Sequence, residues 1–143
     1  MLFDNCKTTN EQGDIGQSRA IYEFQLQGYT VCVPCGVNQK YDLVIEKDGL
    51  FKKVQVKTTQ CLDKYNRYQV SLKSTTFRYK DRKVFIKTVR RRECDYDLLF
   101  VLTKEGKCYI IPSSELGGNK GIILTNKYDR YMVIEDKRCV ASL

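Results

Sequence analysis

Residues 41–59 constrain the fold more than any other stretch of this chain. Two runs of strand-forming residues, 41–46 and 50–59, flank Lys47-Asp48-Gly49, and an Asp-Gly pair supplies the left-handed backbone positions of a tight hairpin turn. Alternation along the second run puts Leu50, Val54 and Val56 on one face and Phe51, Lys53, Gln55 and Lys57 on the other. A turn centred on Asp48-Gly49 sets residue 47 opposite 50, 45 opposite 52 and 42 opposite 55. Asp42 and Gln55 become cross-strand neighbours, and Lys57 shares the face of Gln55. A carboxylate, an amide oxygen and an ammonium therefore converge on one patch. That grouping suits a divalent cation held by oxygen beside a lysine that orients or deprotonates a water.

The remaining elements read more coarsely. Residues 1–12 are polar and aperiodic and read as a loose arm. Gly13-Asp14 opens a helix running to about Gln27, with Asp14 as its N-cap and Gly28 as its terminator. Ile15, Ala20, Ile21 and Phe24 give that helix its apolar stripe. Residues 29–33 read as a strand stopped by Pro34 and Gly36. Beyond the hairpin, residues 68–72, 84–88, 97–103 and 108–112 alternate or run apolar, and residues 104–107 form the turn between the last two strands. Residues 113–116 start a short helix that Gly117-Gly118-Asn119 breaks, and residues 126–140 fit helix or strand equally. With no repeat, low-complexity tract or Pro-rich linker, residues 1–143 are expected to form one α+β domain.

Composition narrows the chemistry. Lys and Arg number 25 against 17 Asp and Glu, a net charge of +8, which favours a polyanionic partner, nucleic acid ahead of an acidic membrane surface. No apolar run approaches the length of a spanning helix, and Met1-Leu2-Phe3-Asp4-Asn5 lacks the basic and apolar regions of a secretory signal. The chain has no histidine, which removes Ser-His-Asp and Cys-His nucleophiles and imidazole zinc sites. Seven cysteines (Cys6, Cys32, Cys35, Cys61, Cys94, Cys108 and Cys139) make an odd number. They are expected to be free thiols in a reducing interior, the cytoplasm of a bacterium or a virus-infected cell. Cys32-x-x-Cys35 lacks the second close pair that a four-thiolate site needs, so no zinc is expected.

The ordered motifs Gly13-Asp14-Ile15-Gly16-Gln17, Gly28-Tyr29-Thr30-Val31, Tyr41-Asp42-Leu43-Val44-Ile45 and Gln55-Val56-Lys57-Thr58 resemble those of the PD-(D/E)XK nuclease superfamily. Within it the likeness is to the small group I intron homing endonucleases, with archaeal Holliday-junction resolvases more distant. The match covers about the first 60 residues, the motif core being residues 13–59. It extends loosely to Asp95-Tyr96-Asp97 and Tyr109-Ile110-Ile111-Pro112. The resemblance implies a restriction-endonuclease-like α+β (α/β) core, a mixed central sheet with a flanking N-terminal helix. It makes Asp42 the central metal-binding carboxylate, Gln55 the occupant of the acidic motif position, Lys57 the catalytic lysine and the Val56 main-chain carbonyl a further ligand. The expected ion is Mg²⁺ or Mn²⁺. Gln17 falls where the first helix of the family normally offers a Glu. With that charge gone, Asp42 is the one formal carboxylate of the implied site, which predicts weak metal binding and slow or absent cleavage. Gln17 is either an engineered or a natural substitution. Glu23 lies six residues on and is turned away on the helix.

A second feature is basic. Residues 73–92 hold Lys73, Arg78, Lys80, Arg82, Lys83, Lys87, Arg90, Arg91 and Arg92 against Asp81 alone, interleaved with Phe77, Tyr79 and Phe85. A phosphate backbone neutralises such a run while releasing counterions, and arginine and aromatic side chains can read or stack on bases. The segment is therefore expected to contact DNA. Together these features predict a homing-type, Mg²⁺-dependent endonuclease for double-stranded DNA. One site per small domain implies a homo-dimer or tetramer for cleavage of both strands. A junction resolvase would prefer four-way junctions, a non-catalytic DNA-binding protein would bind duplex without taking up metal, and an RNA-binding module would favour RNA in competition.

Overall fold

The computed structural model describes residues 1–134. Helix α1 (Thr9–Leu26) begins earlier than its apolar stripe suggests, because Thr8 rather than Asp14 caps it. The Glu11 N–H donates to Thr8 Oγ1 (3.2 Å) and the Thr8 N–H donates to Glu11 Oε2 (3.3 Å), the reciprocal bonding of a T-x-x-E capping box. Nor is the N-terminus a loose arm. Phe3 is buried in the core and the Leu2 N–H bonds the Lys104 carbonyl. At the other end Gly28 adopts φ +84°. The Tyr29 N–H reaches the Phe24 carbonyl, the Gly28 N–H reaches the Gln25 carbonyl, and the Phe24 and Tyr29 rings meet edge to face at 5.7 Å. This is a Schellman end with its apolar contact.

Among the described residues nine strands follow in chain order: β1 (Thr30–Cys32), β2 (Leu43–Lys47), β3 (Leu50–Thr59), β4 (Gln69–Ser71), β5 (Ser74–Lys80), β6 (Lys83–Val89), β7 (Leu98–Thr103), β8 (Cys108–Pro112) and β9 (Gly121–Ile123). The central sheet runs β1-β2-β3-β7-β8, antiparallel except for the parallel pair β3–β7. Asp48 and Gly49 both have positive φ (53° and 78°), and Lys47 pairs with Leu50 and Leu43 with Val54. The hairpin register is the one expected from the turn. Residues 60–97 make the crossover between the parallel strands and contribute to two ribbons, β4–β9 and β5–β6. Of the ambiguous stretch 126–140, Asn126–Tyr131 forms a 3₁₀ helix, and 135–140 lies outside the described residues.

The sheet separates two apolar clusters. Ala20 and Phe24 of α1 pack with Phe3, Leu43, Ile45, Val54, Phe100 and Leu102. On the opposite face Leu99, Val101 and Ile111 pack with Val70, Leu72, Tyr96, Ile122 and Tyr128. Successive β7 residues thus alternate between two interiors, as a strand covered on both faces requires. Gly16 sets how closely the helix sits. A Cβ there would lie 2.4 Å from Thr58 Cγ2 and 3.4 Å from Val56 Cγ1, so only glycine lets this turn of α1 rest on β3. No helix among the described residues is long and apolar enough to cross a membrane.

Candidate active site

β2 ends at Leu43 while β3 runs on to Thr59, which leaves the β3 edge open from Gln55 onward on that side. Asp42 sits at this opening. Its N–H still bonds the Val54 carbonyl (2.8 Å), and its carboxylate turns back onto the free edge. Asp42 Oδ2 accepts from the Val56 N–H and from Gln55 Nε2, each at 2.7 Å. Gln55 Nε2 also donates to the Val56 carbonyl (3.3 Å). A donor group thus bridges a carboxylate and a main-chain oxygen, and both oxygens face one point as ligands of a hard cation do.

Helix α1 closes the other side. A cleft of about 280 Å³ is lined by Thr9, Asn10, Gly13, Asp14 and Gln17 from the helix and by Asp42, Gln55 and Val56 from the sheet edge. Gln17 therefore meets Asp42, Gln55 and Val56 across one space, and the close seat of Gly16 on β3 brings it there. Asp14 lines the same cleft one helical turn earlier. The sequence reading spent Asp14 on the N-cap. With Thr8 in that role, the i, i+3 spacing of Asp14 and Gln17 is the signal that places both on one face. Glu23 is fully buried and pairs with Arg19 (2.9 Å), away from the cleft.

Lys57 lies two residues along β3 from Gln55 and shares with it a small depression that also involves Lys40, Ser74, Arg91, Asp95 and Tyr96. Lys57 Nζ donates to the Lys73 carbonyl (3.2 Å). Burial holds its ammonium below the usual lysine range, opposed by the attraction of Asp42. Burial likewise pushes the Asp42 carboxyl above its usual range, opposed by the Val56 N–H and by Lys57. Each group is desolvated and each is the other's counter-charge. Such a pair is poorly satisfied alone and suited to receiving an ion and an anionic substrate. Tyr96, whose hydroxyl is buried, is pushed up to about 12 by that burial.

The basic residues divide. Cross-strand pairing in the β5–β6 ribbon matches Thr76 with Lys87, Arg78 with Phe85 and Lys80 with Lys83, so Arg78, Lys80, Lys83 and Lys87 share one face. A hollow on that face is lined by Thr76, Arg78, Lys80, Phe85, Lys87, Val89 and Lys40. Arg82 stands at the tip with φ 59°, and Lys73 and Arg90 are exposed at the ribbon's root. Arg92 is exposed beside its partner Asp95 (3.2 Å). Arg91 is the exception and corrects the expected DNA contact. It is 6% exposed, and its guanidinium donates to the Gly118 carbonyl, Ser113 Oγ and the Ser113 carbonyl. Its hydrogen bonds are spent inside the protein. The residue that sequence reading missed is Lys40. Its Nζ donates to Ser74 Oγ (3.2 Å) and Thr76 Oγ1 (3.4 Å), and it lines both the Lys57 depression and the basic hollow. A lysine in the loop 33–42 carries no pattern that would single it out.

A mixed sheet with a helix on one face, and an acid, an amide and an ammonium gathered where one strand outruns its neighbour, defines a nuclease-type core. The sequence pattern of the PD-(D/E)XK endonuclease family matches residues 7–130, and the chain belongs to that family. Its fold is similar to that of the bacterial homing endonuclease I-Ssp6803I, with a TM-score of 0.67 and 29% identity over 86% of this chain and 82% of that one. A 46-residue stretch is 48% identical to Protein 5.3 of Escherichia phage T7, spanning 32% of this chain and 39% of the phage protein.

Proposed function

We propose that this chain is a metal-dependent, sequence-specific endonuclease of homing type that hydrolyses phosphodiester bonds of double-stranded DNA and works as a homo-dimer or tetramer. The observation that carries the reading is the pair of hydrogen bonds that Asp42 Oδ2 accepts from Gln55 Nε2 and from the Val56 N–H at an opened strand edge, with Lys57 two residues further along. The oxygen-only donor set fits Mg²⁺ or Mn²⁺. Asp42, the Val56 carbonyl and Gln17 would hold the ion, with Asp14 supplying a second negative charge across the cleft. A bound ion supplies Lewis acidity toward the scissile phosphate and the attacking water. Lys57 presents its Nζ proton to a phosphate oxygen or orients the water, and its desolvation strengthens that contact. Gln55 keeps Asp42 aligned.

Gln17→Glu restores the charge that the family places on this helix. It is expected to raise Mg²⁺-dependent nicking of a random duplex library about 10- to 100-fold, read by sequencing the cut ends. An unchanged rate removes Gln17 from the site. Gln17 also favours a second reading, a DNA-binding protein on a nuclease scaffold. Duplex binding without Mg²⁺ or Ca²⁺ uptake in calorimetry, and no cleavage by the Gln17→Glu protein, would support it.

Arg78, Lys80, Lys83 and Lys87 are proposed to meet the phosphate backbone. Lys80 lies directly opposite Lys83, a like-charge pair that costs stability until an anion covers it. Replacing Arg78, Lys80 and Lys87 by Ala is expected to weaken duplex binding and to flatten the log Kd against log salt slope by about 2.7. An unchanged slope would make these residues merely solvated.

A further inference from the structure

The face of the β5–β6 ribbon opposite its lysines carries no charge. Cross-strand pairing puts Thr75 with Thr88, Phe77 with Ile86 and Tyr79 with Val84 on it. Its apolar members are far from buried: Phe77 is 60% exposed, Tyr79 76%, Val84 59% and Ile86 67%. A two-stranded ribbon alone is marginal in water, and these four side chains leave roughly 500 Å² of apolar surface uncovered, a patch of the size that marks an interaction site.

We infer that this face docks on the same face of a second copy of the chain, forming a two-fold pair of stacked ribbons. Charge selects the occupant. Each chain carries +8, so two copies approach only where charge is missing, and this face supplies three uncharged cross-strand pairs in a row. It also offers no cation to a phosphate backbone or an acidic protein. Two such faces bury roughly 1,000 Å² in total, the lower bound of a specific interface. Antiparallel strands stacked about a two-fold axis match the aligned packing of sheets. The geometry leaves the lysine faces pointing outward on opposite sides of the pair. The inference goes beyond the nuclease reading and adds to it the surface through which two copies associate.

Sedimentation equilibrium of the full chain in 0.5 M salt without DNA tests it. The wild-type protein is expected to form dimers or larger species at tens of micromolar. Phe77→Lys with Ile86→Lys is expected to weaken association at least about 30-fold, with an unchanged far-ultraviolet circular dichroism spectrum. Tyr79→Lys, near the ribbon tip, provides a second variant should the double one misfold. Arg78→Ala, on the opposite face, is expected to leave association unchanged. A monomeric wild-type protein, or variants that associate like wild type, would overturn the interface. Duplex binding by the wild-type protein, measured in parallel, separates the two ideas: a monomer that binds duplex leaves the nuclease reading standing and removes the interface alone.

Discussion

Replacing Asp42 by Asn is expected to abolish divalent-cation uptake while making the cation-free protein more stable at neutral pH. The amide oxygen can still accept from the Val56 N–H and from Gln55 Nε2, so the local geometry holds. What disappears is a carboxylate whose burial outweighs the stabilising Val56 N–H and Lys57. A carboxyl with its folded pKa above the unfolded value binds its proton more tightly in the native state. Native stability is therefore lost as pH rises from the ordinary carboxylate range through the raised value. The difference between wild-type and Asp42→Asn stability curves should show that slope, measured by urea unfolding at several pH values. In the Gln17→Glu background, cleavage should fall by about 10³-fold or more. Calorimetry with Mn²⁺ reads the binding half directly. A variant that takes up the ion like wild type would remove Asp42 from the proposed metal site, and one that is less stable at neutral pH would mean that the Val56 N–H and Lys57 outweigh the burial of the carboxylate.

The second large effect is structural. Arg91→Met should destabilise the fold by about 3–5 kcal/mol, because it orphans the buried Ser113 oxygens and the half-buried Gly118 carbonyl that the guanidinium satisfies. Its guanidinium also lies 5.9 Å from the Tyr96 ring centroid. Arg90→Ala and Arg92→Ala, both at exposed side chains, should stay within about 0.5 kcal/mol of wild type. Thermal unfolding of the three single variants separates them, with the Arg91 midpoint about 10 °C lower. A triple-arginine variant that loses DNA binding would therefore report unfolding as well as lost contacts. Equal stability of all three would mean that Arg91 is not the strut between residue 91 and the 113–118 turn.

The β2–β3 hairpin was readable because a single local rule fixes it. Asp48-Gly49 permits one turn, the turn permits one register, and the register brings Asp42 to Gln55. What escaped reading depends on distance or on rare burial. The parallel pairing of β3 with β7 joins residues about 44 apart, Val54 with Leu98 for example, and no short-range pattern encodes it. β5 was missed because both faces of its ribbon are largely exposed, so the polar–apolar alternation that marks a half-buried strand is absent. Thr8-x-x-Glu11 was legible as a capping box and was passed over in favour of the apolar stripe. Arg91 looks like its neighbours in sequence. Only the fold shows that it points inward.

The β5–β6 ribbon leaves the body and rejoins it at one place, since Ser74 pairs with Val89, and it lies within the crossover between two strands whose own pairing it does not share. Its base is tied to the candidate site, since Lys57 donates to the Lys73 carbonyl and Lys40 to Ser74 and Thr76, whereas the part beyond Thr76 can be lengthened or trimmed without touching those bonds. On the proposed function, a change in DNA contacts would then be confined to that outer part, with the arrangement of Asp42, Gln55 and Lys57 left as it is.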